Sequence, residues 1–545
     1  MHKTAGLTVP KTRRDKSKRQ EKLQKLLEKG MRLQSQGNIE TAIQYYNKIL
    51  RIDPSNTDAL FMRAQVHIQR GEHEKAIEII ERCIKSKPGN ANLRYILGFN
   101  YFNMSRRFEA IRHLECALKL DPDYHMARLL LAKIYADAGR IREGRRCLAQ
   151  GSGLHFEDPD DRLTHYHVLL GLGYYHEAKE ILARLIKEGQ KLPESFFELT
   201  RLPGVNWKPS NTSLVDKLLA NKRVSASDGV LLHFAAGRIA DSEGEYCKAI
   251  SHFIEANRLT GLSFDIAGYR ETVARLCRLF QPDFFDTRRE YGLPSTRPVF
   301  IVGLPRSGKS LVENSLSLHS KIGRVGEMTM AKIIEGEYFI RLDGILPDSY
   351  EEVVNNLDAN RSRKRAETYL NELQKYDSKS VLVTNSLPHN FQNIAIIKLL
   401  FPNASIIHIK RNPVDTCLFC FMKNFAHQHS YSNDLSILGH YYNIYHELME
   451  HWQRILPGQI HQISYEQFVT KPKATLKELE KFLGVEVEQG STEKPLKTSL
   501  GSFSTGDAPG PINTSYISYW RNYEQHLAPL LESLGDLAPP SGSST

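Results

Sequence analysis

Residues 297–310 read Arg-Pro-Val-Phe-Ile-Val-Gly-Leu-Pro-Arg-Ser-Gly-Lys-Ser. The β-branched run 299–302 predicts a buried strand that passes straight into a Gly-rich turn, with a helical pattern opening at Leu311. Strand, turn and helix N-terminus together make a phosphate cradle, because backbone N–H groups and the positive helix end face one small volume. Gly303 and Gly308 let the backbone bend and approach an anion closely. With Lys309 and Ser310 they also satisfy G-x-x-x-x-G-K-[ST], the loop pattern of nucleoside triphosphate binders. On this stretch alone the ligand is ATP, GTP or another phosphate-rich nucleotide.

Downstream of the loop, short β-branched runs at 381–383, 405–409 and 460–463 alternate with helical stretches. Parallel strands joined by crossover helices are the expected architecture, with ligands bound beyond the carboxyl ends of the strands. A triphosphatase further demands a second strand ending in Asp to hold magnesium. The candidate strands end in Thr384-Asn385 and Lys410-Arg411 instead, which counts against that reading.

Upstream, a different pattern holds. Gly37, Gly71 and Gly139 recur with a period of 34, with Ser105 at the missing position. Pro54, Pro88 and Pro122 keep the same period, as do Ala42, Ala76 and Ala110. The alanines fit a close helix crossing, and the prolines end the second helix of each unit. Gly173 and Ala178 continue the phase, and Gly244 with Ala249 marks a further unit after a break. This pattern resembles tetratricopeptide repeats, which implies a solenoid of helical hairpins with a concave, partner-binding face.

At 545 residues the chain exceeds a single ordinary core, and its composition is that of a globular protein. No apolar stretch reaches membrane-span length and no signal-peptide core opens the chain, so a cytoplasmic protein is expected. Of the +11 net charge, +7 lies in the first thirty residues, read as a solvated basic leader. The small remainder makes nucleic acid an unexpected partner. Seven cysteines are read as free thiols in a reducing compartment, and the lone pair Cys417 and Cys420 is not a metal site.

The loop, Gly326-Glu327, the run Ile409-Lys410-Arg411-Asn412-Pro413-Val414-Asp415-Thr416-Cys417 and Ser464-Tyr465-Glu466-Gln467 together resemble a sulfotransferase domain. The likeness is to the bacterial-type branch that carries tetratricopeptide repeats and is related to tyrosylprotein sulfotransferases. It implies a sulfuryl donor, 3′-phosphoadenosine 5′-phosphosulfate, an acceptor hydroxyl, and no required metal. It also implies roles. Arg306, the loop's backbone amides through Gly308, and Ser307 or Ser310 would hold the 5′-phosphosulfate, with Lys309, where this chain departs from the family, in the same loop; Arg411 would hold the 3′-phosphate, with Lys423 a second cation. Tyr465 would lie near the adenine, Glu327 would be the general base, and Ser504 would help at the reacting centre.

The chain departs from the family pattern. A lysine expected at the end of the second strand is Ser386; an expected serine is Phe419; an expected cation is Tyr519; and a Gln-Val-Arg-like run is replaced at 507–510. Lys309, where the family has threonine, is expected to supply the charge lost at Ser386. The resulting expectation is an α-solenoid of repeats followed by an α/β, P-loop-like domain with a parallel sheet. The boundaries expected are a basic tail (1–22), repeats (23–192), a connecting segment (193–229), a further repeat and linker helix (230–295), the sulfotransferase domain (296–535) and a flexible tail (536–545). A degenerate nucleotide- or partner-binding domain, and a P-loop kinase, are the alternatives.

Overall fold

The computed structural model describes residues 11–104, 106–138, 140–151, 156–202, 205, 207, 209–221, 223–329, 346–426, 428–488 and 512–540. The chain packs as two units, one of residues 1–134 with 142–154, the other of 135–141 with 155–545.

The first unit is built from helical hairpins, among them Lys11–Ser35 with Ile39–Ile52, Thr57–Gln69 with His73–Ser86, and Ala91–Asn103 with Arg107–Leu120. The periodic residues explain the hairpins. Gly37 and Gly71 sit between paired helices with φ of +78° and +71°, a left-handed conformation that only glycine adopts freely. Ala42, Ala76 and Ala110 are wholly buried, so the helices of each pair approach without a larger side chain between them. Helices end at Ile52, Ser86 and Leu120, two residues before each proline. Gly139 and Ser105 lie outside the described residues.

In the second unit the hairpin geometry continues with Pro159–Gly171 and Tyr175–Lys187, and again with Ala226–Ser242 and Tyr246–Leu259. Gly173 and Gly244 occupy the same turn, at φ +79° and +78°. The segment 193–229, expected as a connector, is instead largely helical: Leu192–Leu199 and Pro209–Ala220 pack against Ala226–Ser242. Pro193 and Pro209 stand at helix starts, where the missing N–H costs nothing, and Pro203 lies outside the described residues.

A five-stranded sheet follows: β1 (Pro298–Val302), β2 (Ile322–Arg324), β3 (Leu382–Asn385), β4 (Ser405–Lys410) and β5 (Ile460–Ser464). Strand order is β2-β3-β1-β4-β5, and every pair is parallel. β2 has only three residues and carries no sequence signal of its own. β1 is buried along its whole length, as a central strand covered on both faces must be. Its side chains alternate between two cores. Phe300 and Val302 join Val383, Ile406 and Trp452 on one face; Val299 and Ile301 join Leu382, Ile407 and Ile463 on the other. The first of these cores also contains Val230, Phe234, Phe253, Tyr269 and Phe280. The hairpin 226–259 and the sheet therefore share one core, with no packing break at 295.

Candidate functional site

β1 ends at Val302 and the chain turns through 303–308 into the helix Lys309–Leu316, two residues earlier than the sequence pattern placed it. Three residues of the turn have positive φ: Gly303 (+145°), Arg306 (+67°) and Gly308 (+103°). Left-handed backbone is strained for an arginine and is sustained only where the surroundings fix it. The glycines are required by close approach as well as by φ. A Cβ on Gly303 would stand 2.7 Å from the Ile409 carbonyl oxygen, and one on Gly308 would stand 2.7 Å from the Tyr465 ring.

Strand register assembles the opposite wall. Lys410 pairs with Ser464 across β4 and β5, so the next residues, Arg411 and Tyr465, emerge side by side. The Arg411 guanidinium carbon stands over two rings, 4.5 Å from the Phe419 centroid and 4.3 Å from that of Tyr465. It donates to the Arg306 carbonyl (3.0 Å) and to the Tyr516 carbonyl (2.7 Å), while its buried Nε has no hydrogen-bond partner. Tyr516 reaches the site because Asp415, capping no group of its own helix, accepts from the backbone N–H groups of Ser518 (2.8 Å) and Trp520 (2.9 Å).

These elements enclose a pocket of about 270 Å³. Arg306, Gly308, Lys309, Ser310, Glu327, Arg411, Lys423 and Tyr465 line it, together with Phe419, Phe425, His429 and Tyr516. Four basic side chains thus face one carboxylate around a single cavity, an arrangement suited to a multiply charged anion. Ser307 is buried in the loop, and its Oγ has no hydrogen-bond partner. Ser504 and residues 507–510 lie outside the described residues. Glu327 sits in a bend after β2, and Met328 and Thr329 are not helical.

Lys309 is 5 % exposed, and its Nζ donates to the carbonyls of Gly303 (2.8 Å) and Leu304 (2.7 Å). Burial pulls its ammonium down to about 8, against the attraction of Glu327. Its charge therefore acts from within the loop. No contact carries it to Ser386, whose hydroxyl instead donates to buried Glu313 (2.7 Å), as does that of Thr384 (3.1 Å). Burial raises the Glu313 carboxyl above its ordinary range. Tyr519, at the position of an expected cation, donates to Asp241 (2.8 Å). Cys417 and Cys420 are buried free thiols.

Sequence reasoning missed Phe425, His429 and Tyr516. None lies in a motif; long-range packing brings each to the cavity. Among the described residues no group of three or more His, Cys, Asp or Glu could hold a metal ion, and no helix is long and apolar enough to cross a membrane.

A parallel sheet opening on a strand–turn–helix loop follows the helical hairpins, and the family models match the same two regions. Residues 298–489 match the model of the sulfotransferase family. Residues 35–117 match that of anaphase-promoting complex, cyclosome, subunit 3, and 109–160 match the tetratricopeptide repeat. The chain therefore carries a sulfotransferase-family domain behind tetratricopeptide-type repeats. It is 30 % identical over 384 residues to an uncharacterized protein of Aquifex aeolicus, covering 68 % of this chain and 49 % of that one. This chain thus spans about half the length of that relative. It is 23 % identical over 286 residues to protein-tyrosine sulfotransferase 2 of Gallus gallus, covering 45 % of this chain and 71 % of that one. Among solved structures, the sulfotransferase domain of the Synechococcus PCC 7002 olefin synthase is similar at 17 % identity and TM-score 0.29, over 42 % of this chain and 89 % of that one.

Proposed function

We propose that the pocket binds 3′-phosphoadenosine 5′-phosphosulfate and that the chain transfers its sulfuryl group to an acceptor hydroxyl, with the repeats serving as a protein-binding arm. The observation that carries this reading is the convergence of Arg306, Lys309, Arg411 and Lys423 on the cavity that Glu327 also lines. The residues present fit such a donor. The buried Ser307 Oγ and Arg411 Nε lack hydrogen-bond partners, and the 303–308 backbone leaves no room for a Cβ at either glycine.

In the proposed reaction an acceptor oxygen forms a bond to sulfur as the bond from sulfur to the bridging oxygen breaks. The leaving electron pair stays on the nucleotide's 5′-phosphate, where Arg306 and the loop amides offset its charge. Glu327 takes the proton from the acceptor hydroxyl. The test is transfer of labelled sulfate from the donor to a panel of phenols, sugars and tyrosine peptides. Turnover is expected for the wild-type chain, with a loss of about 10²-fold or more in Glu327→Ala.

A second reading, binding without transfer, draws on Ser386 and Phe419. The first ends in a hydrogen bond to Glu313, and the second sets a ring against the Arg411 guanidinium. No transfer to any acceptor, with stabilisation by adenosine 3′,5′-bisphosphate retained, would select it. Stabilisation by ATP with magnesium alone would select the kinase alternative.

A further inference from the structure

The pocket contains a histidine that the reaction proposed above does not use. His429 lines the cavity, and its ring stacks on that of His389, at 4.9 Å between centroids and 7° between planes. His389 comes from the turn Pro388–Asn393, directly behind Pro388 on the same wall. Both rings are buried, at 4 % and 6 % exposure. His429 Nδ1 is engaged by the Tyr431 hydroxyl (2.9 Å), leaving Nε2 as the nitrogen open to a ligand. Buried His389 Nδ1 has no hydrogen-bond partner.

The groups facing the pair are overwhelmingly basic or neutral. Lys309 faces it from the loop helix, Tyr431 from the turn Ser430–Asn433, and Phe425 packs its ring edge-on against His429 at 4.6 Å. Around the same cavity stand Arg306, Arg411 and Lys423, with Glu327 the one carboxylate among the lining residues. Two imidazoles in such a field are held neutral when the pocket has no anion in it. A polyanion entering the cavity replaces the repulsion of the lysine and arginines with attraction, and a proton then becomes the cheapest extra ligand.

We infer that His429, backed by His389, is a proton-linked element of the donor pocket: the ring is neutral in the free protein and takes up a proton when an anion binds, adding a fifth positive charge. The pair's basicity in the free protein agrees with this. Burial, then Lys309, draws His389 down to about 4, and burial, then His389 and Lys309, draws His429 well below its ordinary range. The inference rests on the donor-pocket reading, but its test does not need turnover.

The test is calorimetric titration of the full chain with inorganic sulfate, which does not itself titrate near neutrality, in buffers of different ionisation enthalpy. Proton uptake is expected between roughly pH 5 and 7, with the sulfate Kd falling as pH falls, by up to about tenfold per pH unit lowered across that window. Lys309 contributes only at higher pH, where its own charge is partial. In His429→Gln sulfate should bind several-fold more weakly below about pH 6, with proton uptake and its pH dependence in that window lost. Binding without proton uptake, or uptake unchanged in that variant, overturns the inference and leaves the donor pocket standing. If neither sulfate nor adenosine 3′,5′-bisphosphate binds, the donor-pocket reading falls and takes this inference with it. Should His429→Gln fail to fold, histidine-labelled wild-type protein decides: near pH 6, ring signals that move to the imidazolium position on adding sulfate support the inference, and signals that stay overturn it.

Discussion

Arg411 shows how one side chain is made specific by what surrounds it. Its guanidinium carbon stands over the rings of Phe419 and Tyr465, and the group is tied to two carbonyls, one of them in the 303–308 loop. A lysine cannot reproduce either feature, because an ammonium has no flat face and no fork of donors. Arg411→Lys is therefore expected to weaken adenosine 3′,5′-bisphosphate by roughly 10- to 100-fold, the scale of one lost charged hydrogen bond or two. Titration calorimetry reads this directly, and an affinity within twofold of wild type would refute the role. Arg411 was legible in the sequence as the residue ending a strand. Its two aromatic neighbours were not equally so: Tyr465 stood in a motif, whereas Phe419 registered only as a missing serine.

At the scale of the element, the strand–turn–helix is held by backbone shape as much as by side chains. Gly308 has φ +103° and would drive a Cβ into the Tyr465 ring, whereas Gly458 has φ +73° and nothing within 4 Å of the added atom. The two glycines separate strain from collision. Gly458→Ala should cost about 1 kcal/mol of stability through its left-handed backbone and leave ligand binding untouched. Gly308→Ala should cost at least as much and also weaken bisphosphate binding, since the displaced Tyr465 is one of the rings against Arg411. Thermal unfolding and titration of the two variants check this, and equal effects on binding would contradict it. The strands of this element and its neighbours were readable because short runs rich in β-branched residues and bounded by turns have few other uses. β2 was not, because Ile322-Gly323-Arg324 holds a single β-branched residue and no alternation. The helices within 193–229 were hidden by prolines, which mark helix starts as well as breaks.

For the whole molecule, the sequence placed a boundary at 295, whereas the packing runs through it. Tyr519 and Tyr523 both donate to Asp241 in the helix Ala226–Ser242, and Asn257 Nδ2 donates to the Phe421 carbonyl (2.9 Å). A repeat-like hairpin looks like a repeat whether or not its outer face has been recruited to another core, so only the fold reveals the merger. A fragment beginning at 156 should accordingly unfold cooperatively, and one beginning at 296 should be insoluble or lack a transition, having lost Phe234, Phe253 and Tyr269 from its core. A cooperative transition in the shorter fragment would restore the boundary at 295. The second unit also carries a built-in acid limit. Burial holds His389 down to about 4 and His408 down to about 3, the latter bonded through Nε2 to the Tyr445 hydroxyl (2.6 Å). Because both bind protons less readily folded than unfolded, their stabilising effect is complete above the ordinary histidine value and is lost as pH falls through it. By pH 5 the loss should be on the order of 2 kcal/mol for each ring. Between about pH 7 and 5, ordinary carboxylates remain mostly ionised, so the histidines dominate the slope. Thermal scans of the second unit's transition across that window should show a falling midpoint, and His408→Gln should remove its share of the slope. A midpoint that stays level from pH 7 to 5 would show that these rings are not buried neutral in solution.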